Sequence, residues 1–125
     1  MTIRLLIAED DKKFAALLRS FLERYDFVVE VAHDGEEGME LFLKNRFDVV
    51  LADGLMPKKD GLSLARDIRV TPKGNNVGIV MMTGVYKNAA WRRTAEQQAN
   101  IDDVLDKPFE LDELALLLKA DARLS

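Results

Sequence analysis

The sequence predicts an α/β fold, a doubly wound parallel sheet of five strands with helices packed on both faces. Three observations predict it. Short apolar segments alternate five times with longer segments of helical periodicity along the 125 residues. The apolar segments are almost wholly hydrophobic, as is typical of parallel strands buried on both faces. The length lies near ~150 residues per domain, so we expect residues 1–125 to form a single domain.

The first two strand and helix pairs occupy the amino-terminal third of the chain. Ile3–Ala8 is an apolar strand, and the helix after it has apolar residues spaced by three and four, namely Phe14, Leu17, Leu18, Phe21 and Leu22. The valine-rich segment Phe27–Ala32 predicts a second strand. A second helix follows Asp34 and ends at Asn45, because asparagine favours helix ends.

The third strand covers residues 47–52 and ends at Asp53. A turn-rich segment separates it from a helix that carries Leu62, Ala65 and Ile68 at helical spacing. The fourth strand is predicted over residues 77–82.

The last two helices and the fifth strand complete the alternation. The helix Ala89–Ala99 is stopped by Asn100, a residue that tolerates left-handed geometry. Val104 and Leu105 are the core of a short fifth strand. The final helix has an apolar face of Leu111, Leu114, Leu117 and Leu118.

Composition excludes several classes of function. The formal net charge of −4 argues against direct nucleic-acid binding, which needs a basic face. The absence of cysteine excludes disulfides and thiolate chemistry. No apolar run reaches the ~18 residues that span a membrane, and no signal-peptide pattern precedes the first strand. We therefore expect a cytoplasmic protein with neither nucleic acid nor membrane as a partner.

Charged and polar residues follow four of the predicted strands. Glu9 and Asp10 follow the first strand, Asp53 the third, Thr83 and Gly84 the fourth, and Lys107 the fifth. In the flavodoxin-like strand order 2-1-3-4-5, the first and third strands are neighbours at the point where ligands bind. The three carboxylates are therefore expected to converge.

Such a carboxylate cluster favours a hard cation. Two unit charges ~4 Å apart repel by roughly 4 kcal/mol at an effective dielectric of ~20. All-oxygen ligands favour Mg²⁺, which retains open positions for phosphate oxygens. Lys107, the Thr83 hydroxyl and the Gly84 N–H would meet a phosphoryl group there, and Asp53 would act as its nucleophile.

Each of these features taken alone has a structural explanation. Acidic residues are favoured at helix starts, Asp-Gly is a common turn, and Thr, Gly and Pro are frequent at strand ends. Their placement on four strand ends of one sheet, with the acids at the switch point, favours a functional site.

Four segments, LLIAEDD, FDVVLADGLMPKKDG, IVMMTG and VLDKPFELDEL, resemble the receiver domains of two-component response regulators. The resemblance covers almost the whole chain. It implies that Glu9 and Asp10 hold Mg²⁺ together with the Leu55 carbonyl, and that Asp53 accepts phosphate from a phosphohistidine. It also implies that Thr83 is the switch hydroxyl, that Lys107 binds phosphate, and that the following Pro108 is cis.

The same resemblance implies partners: a sensor histidine kinase or histidine phosphotransfer protein, and a downstream protein or output domain. Many receivers have an aromatic residue three positions before the lysine, where this chain has Val104. Tyr86 and Trp91 lie in the long stretch between Thr83 and Lys107. We expect these three residues, Tyr86, Trp91 and Val104, to contribute to the switch or output surface.

Two other classes of function remain as alternatives. The first is a receiver-like interaction module that works without phosphorylation, which the complete set of site residues disfavours. The second is a Mg²⁺ phosphatase or a flavin carrier. An aspartate-based phosphatase would need an acid where Leu55 stands, and the carboxylates of EDDKK would repel a flavin phosphate.

Overall fold

In this computed structural model, which describes residues 2–56, 58–84 and 89–123, five strands form one parallel sheet in the order β2-β1-β3-β4-β5. The predicted fold class is confirmed. The side chains of residues 89, 91, 92, 95 and 96 are outside the description.

Strands and helices alternate along the chain as the periodicity predicts. The strands are β1 (Ile3–Ala8), β2 (Phe27–Ala32), β3 (Val49–Asp53), β4 (Gly78–Thr83) and β5 (Asp103–Asp106). The helices are α1 (Lys12–Leu22), α2 (Gly35–Lys44), α3 (Gly61–Arg69), α4 (Ala89–Ala99) and α5 (Leu111–Asp121). Short 3₁₀ turns lie at Glu23–Tyr25 and Lys73–Asn75. No helix within the described ranges is long and apolar enough to cross a bilayer.

Two strands begin and end later than predicted. β3 begins at Val49 rather than at residue 47, although Phe47 is buried in the core. β4 begins at Gly78 rather than at residue 77, and the Val77 carbonyl before it accepts a hydrogen bond from the partly buried Arg69 side chain. Both strands therefore end on a polar residue, Asp53 and Thr83, that the sequence placed just after them.

The sheet separates two hydrophobic cores. Alternate residues of the central strands point to opposite faces, so Leu6 and Val50 belong to one core and Leu5 and Val49 to the other. The first core packs against α2, α3 and α4, and the second against α1 and α5. The double-sided burial explains why these strands are continuously apolar in sequence.

Three helices begin with an aspartate that caps the helix amino terminus. Asp11 accepts hydrogen bonds from the N–H groups of Lys13 and Phe14 at the start of α1. Asp34 and Asp60 do the same for α2 and α3. These caps stabilise the helix starts that follow β1, β2 and β3.

Candidate functional site

The carboxylates predicted to converge lie together at the carboxyl edge of the sheet. β1 and β3 are direct neighbours, and Ala8 pairs with Ala52 one residue before the site begins. One carboxylate oxygen from each of Glu9, Asp10 and Asp53 lies within 4.8 Å of the others. Glu9 and Asp53 are buried, whereas Asp10 is exposed. Solvent therefore reaches the cluster at Asp10.

Asp53 is held by the backbone around it. The Leu55 N–H donates to Asp53 Oδ1 at 3.1 Å, and the Gly54 N–H donates to the Met82 carbonyl at 2.8 Å. A Cβ atom at Gly61 would lie 2.2 Å from the Asp53 carbonyl oxygen, so only glycine permits this close approach of α3 to β3. The loop is thus fixed at both of its ends.

Lys107 brings a positive charge to this cluster from the far side of the sheet. Its backbone N–H donates to the Thr83 carbonyl at 2.8 Å, and the bond to Pro108 is cis, as the resemblance implied. Its Nζ atom lies 3.0 Å from Asp53 Oδ2 and 3.4 Å from Glu9 Oε1. Residues at three strand ends therefore form one ionic group.

The charges in the cluster shift the protonation of its members. Burial, and to a smaller extent the charge of Asp53, raise the pKa of Glu9 to about 7, although a hydrogen bond from the Asp11 N–H lowers it. Burial disfavours the Lys107 ammonium, but hydrogen bonds and charge from Asp53 and Glu9 hold the pKa of Lys107 above its usual value. The site thus favours positive charge, whether as a proton or as a cation.

Thr83 and Gly84 complete the edge beside Asp53. Thr83 is the last residue of β4 and is buried, whereas Gly84 is exposed. Asp53 pairs with Met82, the residue before Thr83. A Cβ atom at Gly84 would meet Lys107 Cβ at 3.6 Å, so the backbone of this turn runs along the lysine side chain.

An apolar wall beside the acids is a feature that the sequence did not assign to the site. The cluster opens into a cavity of about 800 Å³, lined on its other side by Phe14, Leu17, Pro108, Phe109 and Leu111. The Phe14 ring centroid lies 5.0 Å from Lys107 Nζ. Helical periodicity assigns Phe14 only to the apolar face of α1. Its place in the first turn after β1 is the signal that could have indicated the site.

The residues expected to form a switch surface are only partly described. Tyr86 lies outside the described residues, and Trp91 belongs to α4 without a described side chain. Val104 lies in β5, pairs with Met81 and packs partly buried against the core beneath α3 and α4.

A family model described as "Response regulator receiver domain" matches residues 5–119 of this chain. The response regulator MprA of Mycobacterium ulcerans (strain Agy99) is 36% identical over 120 residues, which cover 96% of this chain and 50% of that protein. The chain thus spans about half the length of the curated relatives it matches.

Solved structures agree with this match. The receiver domain of the Francisella response regulator 1452 has a TM-score of 0.86 at 29% identity, covering 95% of each chain. The receiver domain of the sensor histidine kinase PA1611 from Pseudomonas aeruginosa PAO1, solved with a magnesium ion in its active-site cleft, has a TM-score of 0.86 at 27% identity. That similarity covers 97% of this chain and 98% of the other.

Proposed function

This chain belongs to the response regulator receiver domain family, and we propose that residues 1–125 form one receiver domain whose Asp53 accepts a phosphoryl group in the presence of Mg²⁺. The donor is a phosphohistidine of a sensor histidine kinase or a histidine phosphotransfer protein. The observation that supports this most directly is the contact of Lys107 with both Asp53 and Glu9. It joins a nucleophile, a cation and a metal-binding acid in one group.

The transfer uses Asp53 as the nucleophile. A carboxylate oxygen attacks phosphorus, the phosphorus–nitrogen bond of the donor breaks, and the imidazole leaves with the bonding electron pair and takes up a proton. Lys107 lies 3.0 Å from Asp53 Oδ2, so its ammonium is placed to neutralise a phosphoryl oxygen on that atom. The Thr83 hydroxyl and the Gly84 N–H offer further donors at the same edge.

The residues present fit a magnesium ion. The donor set of Glu9, Asp10 and Asp53 is all oxygen, and its atoms lie within 4.8 Å of one another. The Leu55 carbonyl is the fourth proposed ligand, two residues beyond Asp53. When bound, the ion supplies charge neutralisation for the transferred phosphoryl group. The magnesium in the PA1611 receiver domain supports this assignment.

Phosphorylation is proposed to alter a surface that a downstream protein or an output domain binds. Val104 stands at the position in β5 where many receivers have an aromatic residue with a large side chain. The small Val104 side chain packs against the core. We therefore assign the readout to Tyr86 and Trp91, with Val104 as a small contact beneath α4. The cytoplasm, where histidine kinases present their phosphohistidine, is the proposed location.

Intact mass spectrometry tests the proposal directly. Incubation with Mg²⁺ and acetyl phosphate should add one phosphoryl group, and EDTA or Asp53→Asn should prevent it. Asp67→Asn is a matched control, because Asp67 lies on α3, pairs with Lys59 before that helix and is outside the cluster. Modification of the Asp53→Asn protein would overturn the assignment. Partner binding that is the same with and without phosphodonor would favour an interaction module independent of phosphorylation.

A further inference from the structure

We propose that Phe14 is a positioning residue for Lys107, and that its ring holds the lysine ammonium beside Asp53 during phosphoryl transfer. The inference rests on the proposed function of Asp53 and adds a residue to that site. It is carried by the contact between the Phe14 ring and Lys107 Nζ, whose distance of 5.0 Å to the ring centroid lies within the ~6 Å range of cation–π attraction.

The ammonium of Lys107 is held by two kinds of attraction. Asp53 Oδ2 at 3.0 Å and Glu9 Oε1 at 3.4 Å attract it by charge, and the Phe14 ring attracts it by its quadrupole. The Lys107 side chain is 30% exposed, so water reaches part of it. A lysine side chain has four rotatable bonds, and each contact reduces the number of positions that the ammonium samples.

The Phe14 ring is itself fixed in place. Its backbone N–H donates to the capping carboxylate of Asp11 at 3.1 Å in the first turn of α1. Its ring packs against Phe109, with centroids 6.2 Å apart and planes tilted by 55°. Phe109 lies two residues after Lys107, so Phe14 contacts both the lysine side chain and the loop that carries it.

The aromatic contact differs from the ionic contact with Asp53 in one respect that bears on the reaction. When Asp53 becomes an acyl phosphate, its carboxylate charge is lost and the negative charge moves to the phosphoryl oxygens. The attraction of Lys107 for Asp53 therefore changes during the step, whereas the charge distribution of the Phe14 ring does not. Phe14, together with Glu9, therefore keeps the ammonium near the reacting group before and after transfer.

The test compares Phe14→Leu with Phe14→Tyr, which keeps an aromatic face. Phe21→Leu is the matched control, since Phe21 is another aromatic residue of α1 and packs on Tyr25 with centroids 5.0 Å apart. The rate of phosphorylation by acetyl phosphate at saturating Mg²⁺ should fall about three- to tenfold in Phe14→Leu, and less than about twofold in the other two.

A spectroscopic measurement separates positioning from a general effect on stability. In ¹³C-labelled protein without phosphodonor, the ring current of Phe14 should shift the Lys107 ε-methylene protons upfield. Lys107→Gln identifies that signal by removing it. Phe14→Leu should move the signal towards its random-coil position, whereas Phe14→Tyr and Phe21→Leu should leave it shifted.

The outcomes distinguish this proposal from the function on which it rests. If all variants and the unmodified sequence are phosphorylated at equal rates, the positioning role is wrong and the receiver function stands. An unshifted lysine signal in the unmodified protein also overturns the role. If none of the proteins, including the unmodified sequence, takes up phosphate, the receiver function fails and the proposal for Phe14 fails with it.

Discussion

Raising the pH from 6 to 8 is expected to tighten magnesium binding about tenfold, because Glu9 has to lose a proton before its carboxylate can hold the ion. Burial raises the pKa of Glu9 to about 7, well above its ordinary value of 4.5. With that pKa, the Glu9 side chain is ionised in about one molecule in ten at pH 6 and in about nine in ten at pH 8. Binding at pH 6 should therefore release nearly one proton, and binding at pH 8 almost none.

Isothermal titration calorimetry in pairs of buffers with different ionisation enthalpies measures both the affinity and the number of protons released. Glu9→Gln is the control, since an amide oxygen can still approach the ion but carries no titrating proton. At pH 8 the Glu9→Gln protein should bind Mg²⁺ more weakly than the unmodified protein does. Its own affinity should be nearly constant between pH 6 and pH 8. A constant affinity for the unmodified protein, without proton release at pH 6, would refute the reasoning.

Three further changes test the close packing beside the site, the pKa of a carboxyl group in α5 and the packing of the core. Gly61→Ala places a Cβ atom 2.2 Å from the Asp53 carbonyl oxygen, so urea unfolding should show a loss of about 1–3 kcal/mol and acetyl phosphate should modify Asp53 more slowly. Equal stability would contradict the close packing. Burial and a hydrogen bond with Asp103 raise the pKa of Asp121 from 3.8 to about 7, so the native state binds this proton more tightly and loses stability as the pH rises through that interval. Between pH 5 and pH 8 the Asp121→Asn protein should lose less stability than the unmodified protein, as measured by the midpoints of urea unfolding. Equal losses in the two proteins would contradict the raised pKa of Asp121. Leu64→Ala, at a fully buried position, should lower the free energy of unfolding in urea by about 2–5 kcal/mol. A loss below about 1 kcal/mol would show that neighbouring side chains fill the cavity that the substitution leaves.

The strand order and the edge that holds the site could be predicted because they follow from patterns that do not depend on detailed packing. A strand such as Val49–Asp53, buried throughout, needs helices on both faces, and the chain supplies helices between all of its strands. Parallel strands also place their carboxyl ends at one edge, so Asp53 and Lys107 meet although they are 54 residues apart in sequence.

The strand ends and the apolar wall of the site could not be predicted in the same way. Phe47 and Val77 are apolar and buried, yet both lie outside the strands, because hydrophobicity reports burial and not ladder hydrogen bonds. The contact between Phe14 and Lys107 depends on the path of the loop after β5, which brings Phe109 against the same ring. Periodicity assigns a residue to a face of its own helix but does not identify its neighbour on another element.

Burial and the negative charge of the cluster together raise the pKa of Glu9. Two buried carboxylates, those of Glu9 and Asp53, contact the ammonium of Lys107, and the exposed carboxylate of Asp10 lies beside them. Because the pKa of Glu9 is raised to about 7, its side chain is protonated in part of the molecules at neutral pH, which reduces the negative charge of the cluster. A divalent ion would replace that proton and cancel the remaining charge, so that a dianionic phosphoryl group could approach Asp53 without net repulsion. The charge of Asp53 therefore contributes both to the raised pKa of Glu9 and to the proposed phosphoryl transfer, so a substitution that removes this charge should weaken both.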